Sequence, residues 1–540
     1  MAREQQEREE FDPLLRRALR RVGAALAGPP ARSSYWLTRA VFMRGLGLVY
    51  AVAFATAVFQ LAPLIGAGGL TPVDLLLRQV REDSSSALAA FYELPTVFWF
   101  DCSDAALVGV AIAGLCLSIA VLLGLTNAAA NLILWALYLS IVHVGQRWYS
   151  FGWETQLLET GFLAVLLCPL ATLRPLPRDR PPPLVTIVLL RWLVFRIMLG
   201  AGLIKLRGDP CWLELTCLEH HFETQPLPNP VSPLLDALPA WALQGGVLIN
   251  HVVELVAPLF VFGPRRARHV AGVALIGFQL FLIVSGNLSF LNWLTIVPCV
   301  ACFDDQALRR VMPGFVRARV DALDLRVRPR RAHRIAAGLF AALVAWLSMP
   351  VVANLLGSRQ AMNRSYDRLH LVNTYGAFGS VGEVRHELII EGTDEDLPDE
   401  AALWREYAFK CKPGDPARRP CVVSPYHLRL DWLIWFAALE VEATGELRRE
   451  AWVLHLLYKL LEADPGALSL LAGDPFPVGG PRFVRVLLYR YEFAPLGAEA
   501  WWRRELVGVL IPPVAADDPR LRRLLTRRGW LREEPVEEVR

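Results

Sequence analysis

The chain is predicted to be a polytopic α-helical membrane protein of about nine spans, with a C-terminal extracytoplasmic domain of mixed α/β, strand-rich character. Three observations carry that prediction. The 540 residues are 54% hydrophobic and only 20% charged, with mean hydropathy +0.35, against roughly 25% charge in an ordinary soluble domain. The apolar residues are clustered: 105–142 and 335–356 contain no Asp, Glu, Lys or Arg, and an uncharged run of roughly 18 residues or more can cross a bilayer. After residue 356 the pattern changes to short aromatic and β-branched stretches punctuated by Gly, Asp and Pro, which reads as strands and turns.

The expected spans are 40–61, 105–123, 127–145, 155–172, 184–206, 241–262, 270–285, 288–303 and 335–356. The pair 270–285 and 288–303 is short and joined at Ser285-Gly286-Asn287, so it reads as two tilted spans or a hairpin that stops within the membrane. Orientation follows from arginine in the loops, because positive charge is retained on the cytoplasmic side. Arg16, Arg17, Arg20 and Arg21, then Arg174, Arg178 and Arg180, then Arg265, Arg266 and Arg268, and a dense set from Arg309 to Arg334 fall in alternate loops. Nine spans with the N-terminus (1–39) inside place the tail 357–540 outside, after the multi-span domain 40–356. Residues 1–34 are charged and carry prolines, so the first span is expected to be an uncleaved signal-anchor. The terminal Val-Glu-Glu-Val-Arg is no retention signal,.

In the tail, 369–378, 385–391, 404–410, 421–436 and the run from Phe483 to Tyr491 are expected to be strands. Residues 444–463 are expected to be an amphipathic helix with Trp452, Leu456, Leu457, Leu460 and Leu461 on one stripe,. About 180 residues suffice for a core of its own, and Trp432, Trp435, Phe436, Trp501 and Trp502 would either build that core or anchor at the membrane surface.

The densest chemistry lies in the loop 207–240, between two apolar segments. Asp209, Cys211, Trp212, Cys217, His220, His221 and Glu223 fall within about fifteen residues there. Ordering such a polar loop against greasy neighbours is costly, so it is a candidate functional site. Cys211 with Cys217, and Cys411 with Cys421, are local and polar-flanked; an oxidising exterior makes them disulfides, and otherwise they are thiols packed in loops. Cys299-Val-Ala-Cys302 has apolar flanks and no βαβ context, so it reads as core rather than redox centre. His220 and His221 are adjacent and lack the H-E-x-x-H spacing of a metal site, so no metal is expected.

Charges inside spans form the second candidate site, because each costs a few kcal/mol in the membrane unless paired. They are Glu154, Glu159, Arg191, Arg196, Lys205, His251 and Glu254. His251 and Glu254 share a helix face, and Glu159 and Glu254 are the expected partners of Arg191, Arg196 and Lys205. One reading is structural, ion pairs that lock helices together; the other is a polar cavity that binds a substrate or moves protons. No P-loop, dinucleotide fingerprint, nucleophile elbow or nucleic-acid motif is present, so no cofactor and no nucleic-acid partner are expected.

Six blocks carry a further signal: WYSFGWETQLLETG at 148–161, the whole of 208–230, GNLSFLNWLT at 286–295, LVNTYGAFG at 371–379, FKCKPGDP at 409–416 and RRPCVVSPYHLRLDW at 418–432. In this order the chain resembles the lipase maturation factor family along most of its length. Members of that family are polytopic endoplasmic-reticulum proteins that help secreted dimeric lipases fold and assemble. The resemblance therefore implies a folding factor without catalytic residues, with membrane lipid around it and a secreted client such as a lipase against the tail. The membrane part is also distantly similar to vitamin K-dependent carboxylases, which implies as the alternative a membrane enzyme of carboxylase-like or redox type using the intramembrane polar cluster. Of 56 basic residues only Lys205, Lys410, Lys412 and Lys459 are lysines, a bias typical of a GC-rich bacterial genome. The expected location is a bacterial inner membrane, or the endoplasmic-reticulum membrane in a eukaryote.

Overall fold

The computed structural model describes residues 34–169, 181–321, 331–399 and 401–531. The expectations placed on the arginines of 1–33, 170–180 and 322–330 lie outside the described residues.

Each expected span coincides with a helix. These are α1 (Trp36–Ile65), α2 (Asp104–Leu123), α3 (Ala128–Val144), α4 (Gly152–Leu167), α5 (Leu184–Arg207), α6 (Ala240–Phe262), α7 (Arg265–Ser285), α8 (Leu291–Cys302) and α9 (Arg331–Leu356). Among the described residues six of them, α1, α2, α5, α6, α7 and α9, are long and apolar enough to cross a membrane. The chain signals their ends locally. Ser103 and Asn127 accept from the amides of Ala106 and Ala130 at the starts of α2 and α3, the usual N-cap bond. Gly124 closes α2 at φ 91°, a left-handed conformation that glycine adopts without steric cost. Helices α1 and α2 pack backbone to backbone: a Cβ on Gly47 would stand 2.6 Å from the Leu122 nitrogen, the close approach that small residues permit in membranes.

Helices also occur where loops are expected, at Val73–Asp83 and Ala87–Glu93 before α2, and at Cys211–Glu214, Leu218–Thr224 and Ser232–Asp236 between α5 and α6. At one end of the bundle the amides of Trp36 and Leu37 donate to the Asp305 carboxylate at 2.9 and 2.7 Å, and Arg265 pairs with Asp304. The tail covers the opposite end.

The tail contains a four-stranded antiparallel sheet of order β2-β1-β3-β4, with β1 Arg385–Thr393, β2 Arg405–Glu406, β3 Phe483–Phe493 and β4 Trp502–Val514. Leu388 stands opposite Leu488 in the β1–β3 ladder. Helices α10 (Arg429–Thr444), α11 (Trp452–Leu461) and α12 (Pro519–Arg527) complete it. The stripe expected on 444–463 is the buried face of α11.

Three strand expectations are corrected. Residues 421–436 turn and then enter α10. Leu430, Leu433, Ile434, Ala437, Ala438 and Val441 are its buried aliphatic residues, a spacing of three and four that outweighs the aromatic enrichment. Residues 369–378 form no strand beyond an isolated bridge between Ser365 and Asn373, because their backbone groups are engaged by the bundle: the Asn373 amide donates to Glu159 and its carbonyl accepts from Arg196. Of 404–410 only Arg405–Glu406 pairs. Strand β4 was not expected; it carries Gly508, Pro512 and Pro513 and lies at a sheet edge, where proline is tolerated,.

The apolar core runs unbroken from bundle to tail. Trp148 meets Trp452 edge to face at 4.9 Å, and Trp153 meets Trp432 at 5.0 Å. Trp432 and Trp502 are buried while Trp435 and Phe436 are half-buried.

Candidate functional site

Helix α4 supplies two of the buried carboxylates. Glu154 and Glu159 are five residues apart, roughly 140° around the helix, so they reach different parts of the tail. Both are fully buried. Glu159 pairs with Arg196 from α5, and accepts from the Asn373 amide at 3.0 Å and the Tyr375 hydroxyl at 2.7 Å. Arg196 in turn donates to the Asn373 carbonyl at 2.7 Å. A piece of tail backbone thus closes an ion pair set between two bundle helices.

Glu154 takes its cation from the tail itself. Arg429, at the start of α10, stands 2.9 Å from Glu154, which also accepts from Trp153 Nε1 at 3.0 Å and from the Tyr138 hydroxyl. The guanidinium lies 3.3 Å from the Tyr149 ring centroid, and the Arg429 amide donates to Gln60 Oε1 of α1 at 2.9 Å. Buried charge in such a place demands a partner, and here the partner is 275 residues away.

The third pair lies within the bundle. Lys205 Nζ donates to both Glu254 oxygens at 2.6 and 2.7 Å and to Asn250 Oδ1 at 3.0 Å. A π-helical turn at Val252–Val256 interrupts α6 there, the kind of local widening that accompanies functional helices. His251 does not join the pair; its Nε2 meets the Trp212 carbonyl at 3.0 Å. Arg191 corrects the expectation of a carboxylate partner. It donates to the Ala301 carbonyl and the Tyr35 hydroxyl, both at 2.9 Å, so neutral oxygens satisfy it.

The 207–230 loop is folded onto the tail residue by residue. Asp209 accepts from the amides of Cys211 and Val381, while its own amide donates to the Gly379 carbonyl at 2.8 Å. Trp212 donates to the Phe378 carbonyl at 2.9 Å and lies under Lys205. Cys211 and Cys217 are joined with Cα atoms 4.8 Å apart, and Cys411 and Cys421 with Cα atoms 5.5 Å apart. His221 is buried edge-on to Phe378; burial and the nearby Lys205 push its pKa down to about 4, so it is neutral. His220 is half-buried; its backbone carbonyl accepts from the Thr224 hydroxyl at 2.8 Å and its amide donates to the Cys217 carbonyl at 3.4 Å. The Glu223 carboxylate, raised by burial, accepts from the Phe493 amide at 2.8 Å.

Several residues that matter here were not foreseen. Arg385 of β1 pairs with Glu387 and donates to the carbonyls of Glu223 and Pro226 at 2.7 and 3.1 Å, clasping the loop from the tail side. Asn287, in the α7–α8 turn, accepts from the amides of Val423 and Ser424 and donates to the Cys421 carbonyl at 2.9 Å, tying the Cys411–Cys421 loop to the bundle. Asp431 accepts from the amides of Cys411 and Lys412. The sequence signal for these was the polar residue at the start of a short apolar block, as in Gly286-Asn287.

A cavity of about 1320 Å³ lies among α5, α6, α7 and α8 and is closed by the 207–240 loop and the tail. It joins Lys205 and Glu254 to Trp212, His221 and Gln225 of the loop and to Trp432 of α10.

A family model for the lipase maturation factor transmembrane domain matches residues 37–310, and one for the lipase maturation factor C-terminal domain matches 371–512. The chain belongs to the lipase maturation factor family. It is 48% identical over 543 residues to lipase maturation factor 1 of Mus musculus, covering 94% of this chain and 92% of that one. Against lipase maturation factor 1 of Homo sapiens it is 47% identical, covering 94% and 93%. Lipase maturation factor 2 of Xenopus tropicalis is 29% identical, covering 92% and 85%. No solved structure matches. The Glu154–Arg429 ion pair joins one family domain to the other, and Asn373 of the second domain bonds to both members of the Glu159–Arg196 pair in the first.

Proposed function

We propose that this protein is a membrane-integral maturation factor that binds secreted lipases as they fold, and that it acts by binding rather than catalysis. One observation of the structure carries the reading: β4 is a thirteen-residue strand at the free edge of the sheet. On it Leu506, Val507 and Val509 are 51%, 55% and 57% exposed. A long edge with apolar side chains outward is a template for pairing with another chain, and an incompletely folded lipase offers extended apolar segments that fit it. The full-length relation to lipase maturation factor 1 names the client class. The enzyme alternative is disfavoured because Glu154, Glu159 and Glu254 each already hold a cation, leaving none of them as a ready base.

All nine helices belong to the membrane part in this reading, with the N-terminus cytoplasmic and the tail outside. At about 1.5 Å per residue the 17 residues of α3 and 16 of α4 reach roughly 25 Å, short of a ~30 Å core; the tail covering their ends compensates. Both cysteine pairs then share the oxidising side, which supports the orientation. A reporter active only in the cytoplasm, fused at Arg540, tests it; activity there overturns it.

The functional test is secretion. Co-expressing a dimeric lipase with the chain raises secreted lipase activity, and Leu506→Asp with Val509→Asp abolishes the rise at unchanged protein level. An unaltered rise with both substitutions removes β4 from the contact.

A further inference from the structure

The cavity has the geometry of a lipid site. Its volume of about 1320 Å³ exceeds the roughly 300–1,000 Å³ that holds a drug-sized ligand. Ile197, Leu243, Val253, Phe278, Leu282 and Leu288 are among its apolar lining. It opens between helices of the membrane part: α6 and α7 meet chiefly where 252–262 faces α7, and the first half of α6 leans instead on Leu218–Thr224. Trp241, near the open end of α6, lines the cavity while 76% exposed. Gly245 on α6 and Gly277 on α7 also line it, and a Cβ on either would meet nothing within 4 Å. These walls leave space that no group among the described residues fills.

The cations of the wall are engaged by protein groups. Lys205 is matched by Glu254, Arg385 shares Glu387 with Lys412 and has every guanidinium nitrogen engaged, and His386 stands 3.3 Å from Glu442. An anionic headgroup would find no spare cation among these groups. Polar groups suited to a neutral ester do face the space. Asn292 Nδ2 donates to Gln279 Oε1 at 3.0 Å, and Gln156 donates to Thr295 at 3.0 Å. Among the described residues the Gln279 amide nitrogen is engaged only by the Met198 sulfur, at 3.7 Å, and a thioether is a weak acceptor. That buried donor is available to a carbonyl oxygen.

We infer that the cavity between α5, α6, α7 and α8 binds an uncharged acylglycerol-type lipid, its chains along the apolar wall and an ester carbonyl at Gln279. The site is separate from β4 and does not depend on client binding there.

The test uses the purified full-length protein in nanodiscs doped with one of three photoreactive probes sharing a diazirine acyl chain: a diacylglycerol, a phosphatidylserine or a free fatty acid. Mass mapping of crosslinked peptides is expected to place the diacylglycerol on 240–262 and 265–285, at least fivefold above the two anionic probes. Gly277→Phe and, independently, Gly245→Phe fill open space and are expected to cut that labelling at least tenfold with the melting temperature unchanged. Gln279→Leu is expected to remove the preference for diacylglycerol while leaving residual labelling. Equal labelling by all three probes would mean ordinary bilayer chains in a cleft and overturns the inference. Labelling that both Phe variants leave intact, or crosslinks to a bound peptide in place of lipid, overturns it as well. Should one Phe variant fail to fold, the other and Gln279→Leu still decide.

Discussion

Arg429 and Glu154 form the contact on which the joint between tail and bundle most depends, and replacing them singly and together measures it. Both are fully buried at 2.9 Å. In Arg429→Met the carboxylate keeps only the Tyr138 hydroxyl and Trp153 Nε1 as donors, and an uncompensated buried charge costs about 3–5 kcal/mol. At 1.4 kcal/mol per tenfold, that is roughly two to three and a half powers of ten in the unfolding equilibrium. In Glu154→Gln the guanidinium keeps the Trp148 carbonyl and the Tyr149 ring, so the loss is of similar kind and somewhat smaller. The double variant removes both charges, and neutral replacement of a buried pair commonly restores stability to near or above the starting value. The expected coupling between the two changes is therefore at least about 2 kcal/mol. Denaturant unfolding followed by tryptophan emission suits the site, because Trp148, Trp153 and Trp432 surround it. Additivity within about 0.5 kcal/mol, the behaviour of independent sites, would refute the claim that this pair joins the two parts.

Cys411→Ser with Cys421→Ser opens a loop of about eleven residues and is expected to destabilise the tail by roughly 3 kcal/mol; alkylation and mass mapping of native-membrane protein should find both thiols of the parent chain unreactive, and full labelling would disprove the bond. His221, His370 and His455 are all pushed down to about 4, chiefly by burial. The unfolded chain, with histidine near 6.5, binds protons first on acidification, so stability is complete above about pH 7 and falls from about pH 6.5 toward 4. Melting temperatures across that range should decline, and less steeply in His455→Gln; a flat profile contradicts the burial. Gly47→Val places a side chain against the Leu122 backbone, which cannot move aside as a side chain could, and should lower the melting temperature far more than Gly109→Val, where a Cβ meets nothing. Equal effects would mean that α1 and α2 are not in close contact.

The candidate site was partly legible in the chain. That Arg196 and Lys205 would face Glu159 and Glu254 followed from the cost of unpaired charge in a membrane. Arg191 escaped the rule, because a guanidinium has several donors and can donate them to neutral oxygens instead of a carboxylate,. Glu154 was flagged, but its partner was not, since nothing in the local pattern around Arg429 distinguishes a buried guanidinium from a solvated one. Residues 421–436 were misread because tryptophans suggest a strand, although the spacing of Leu430, Leu433, Ile434 and Ala437 already described a helix.

What the sequence determined alone was whatever depends on near neighbours: the places of the apolar helices, six of them long enough to span, the buried stripe of α11, and two cysteine pairs six and ten residues apart. Hydrophobic periodicity and short-loop closure act over a few turns of chain, so they can be read from it directly. Only the tertiary structure decided which tail residues complete the bundle's charges, that 369–378 gives its backbone to Glu159 and Arg196 instead of a sheet, and that α6 and α7 leave a cavity between them. Those outcomes depend on groups hundreds of residues apart meeting in a space whose shape exists only when every helix is in place.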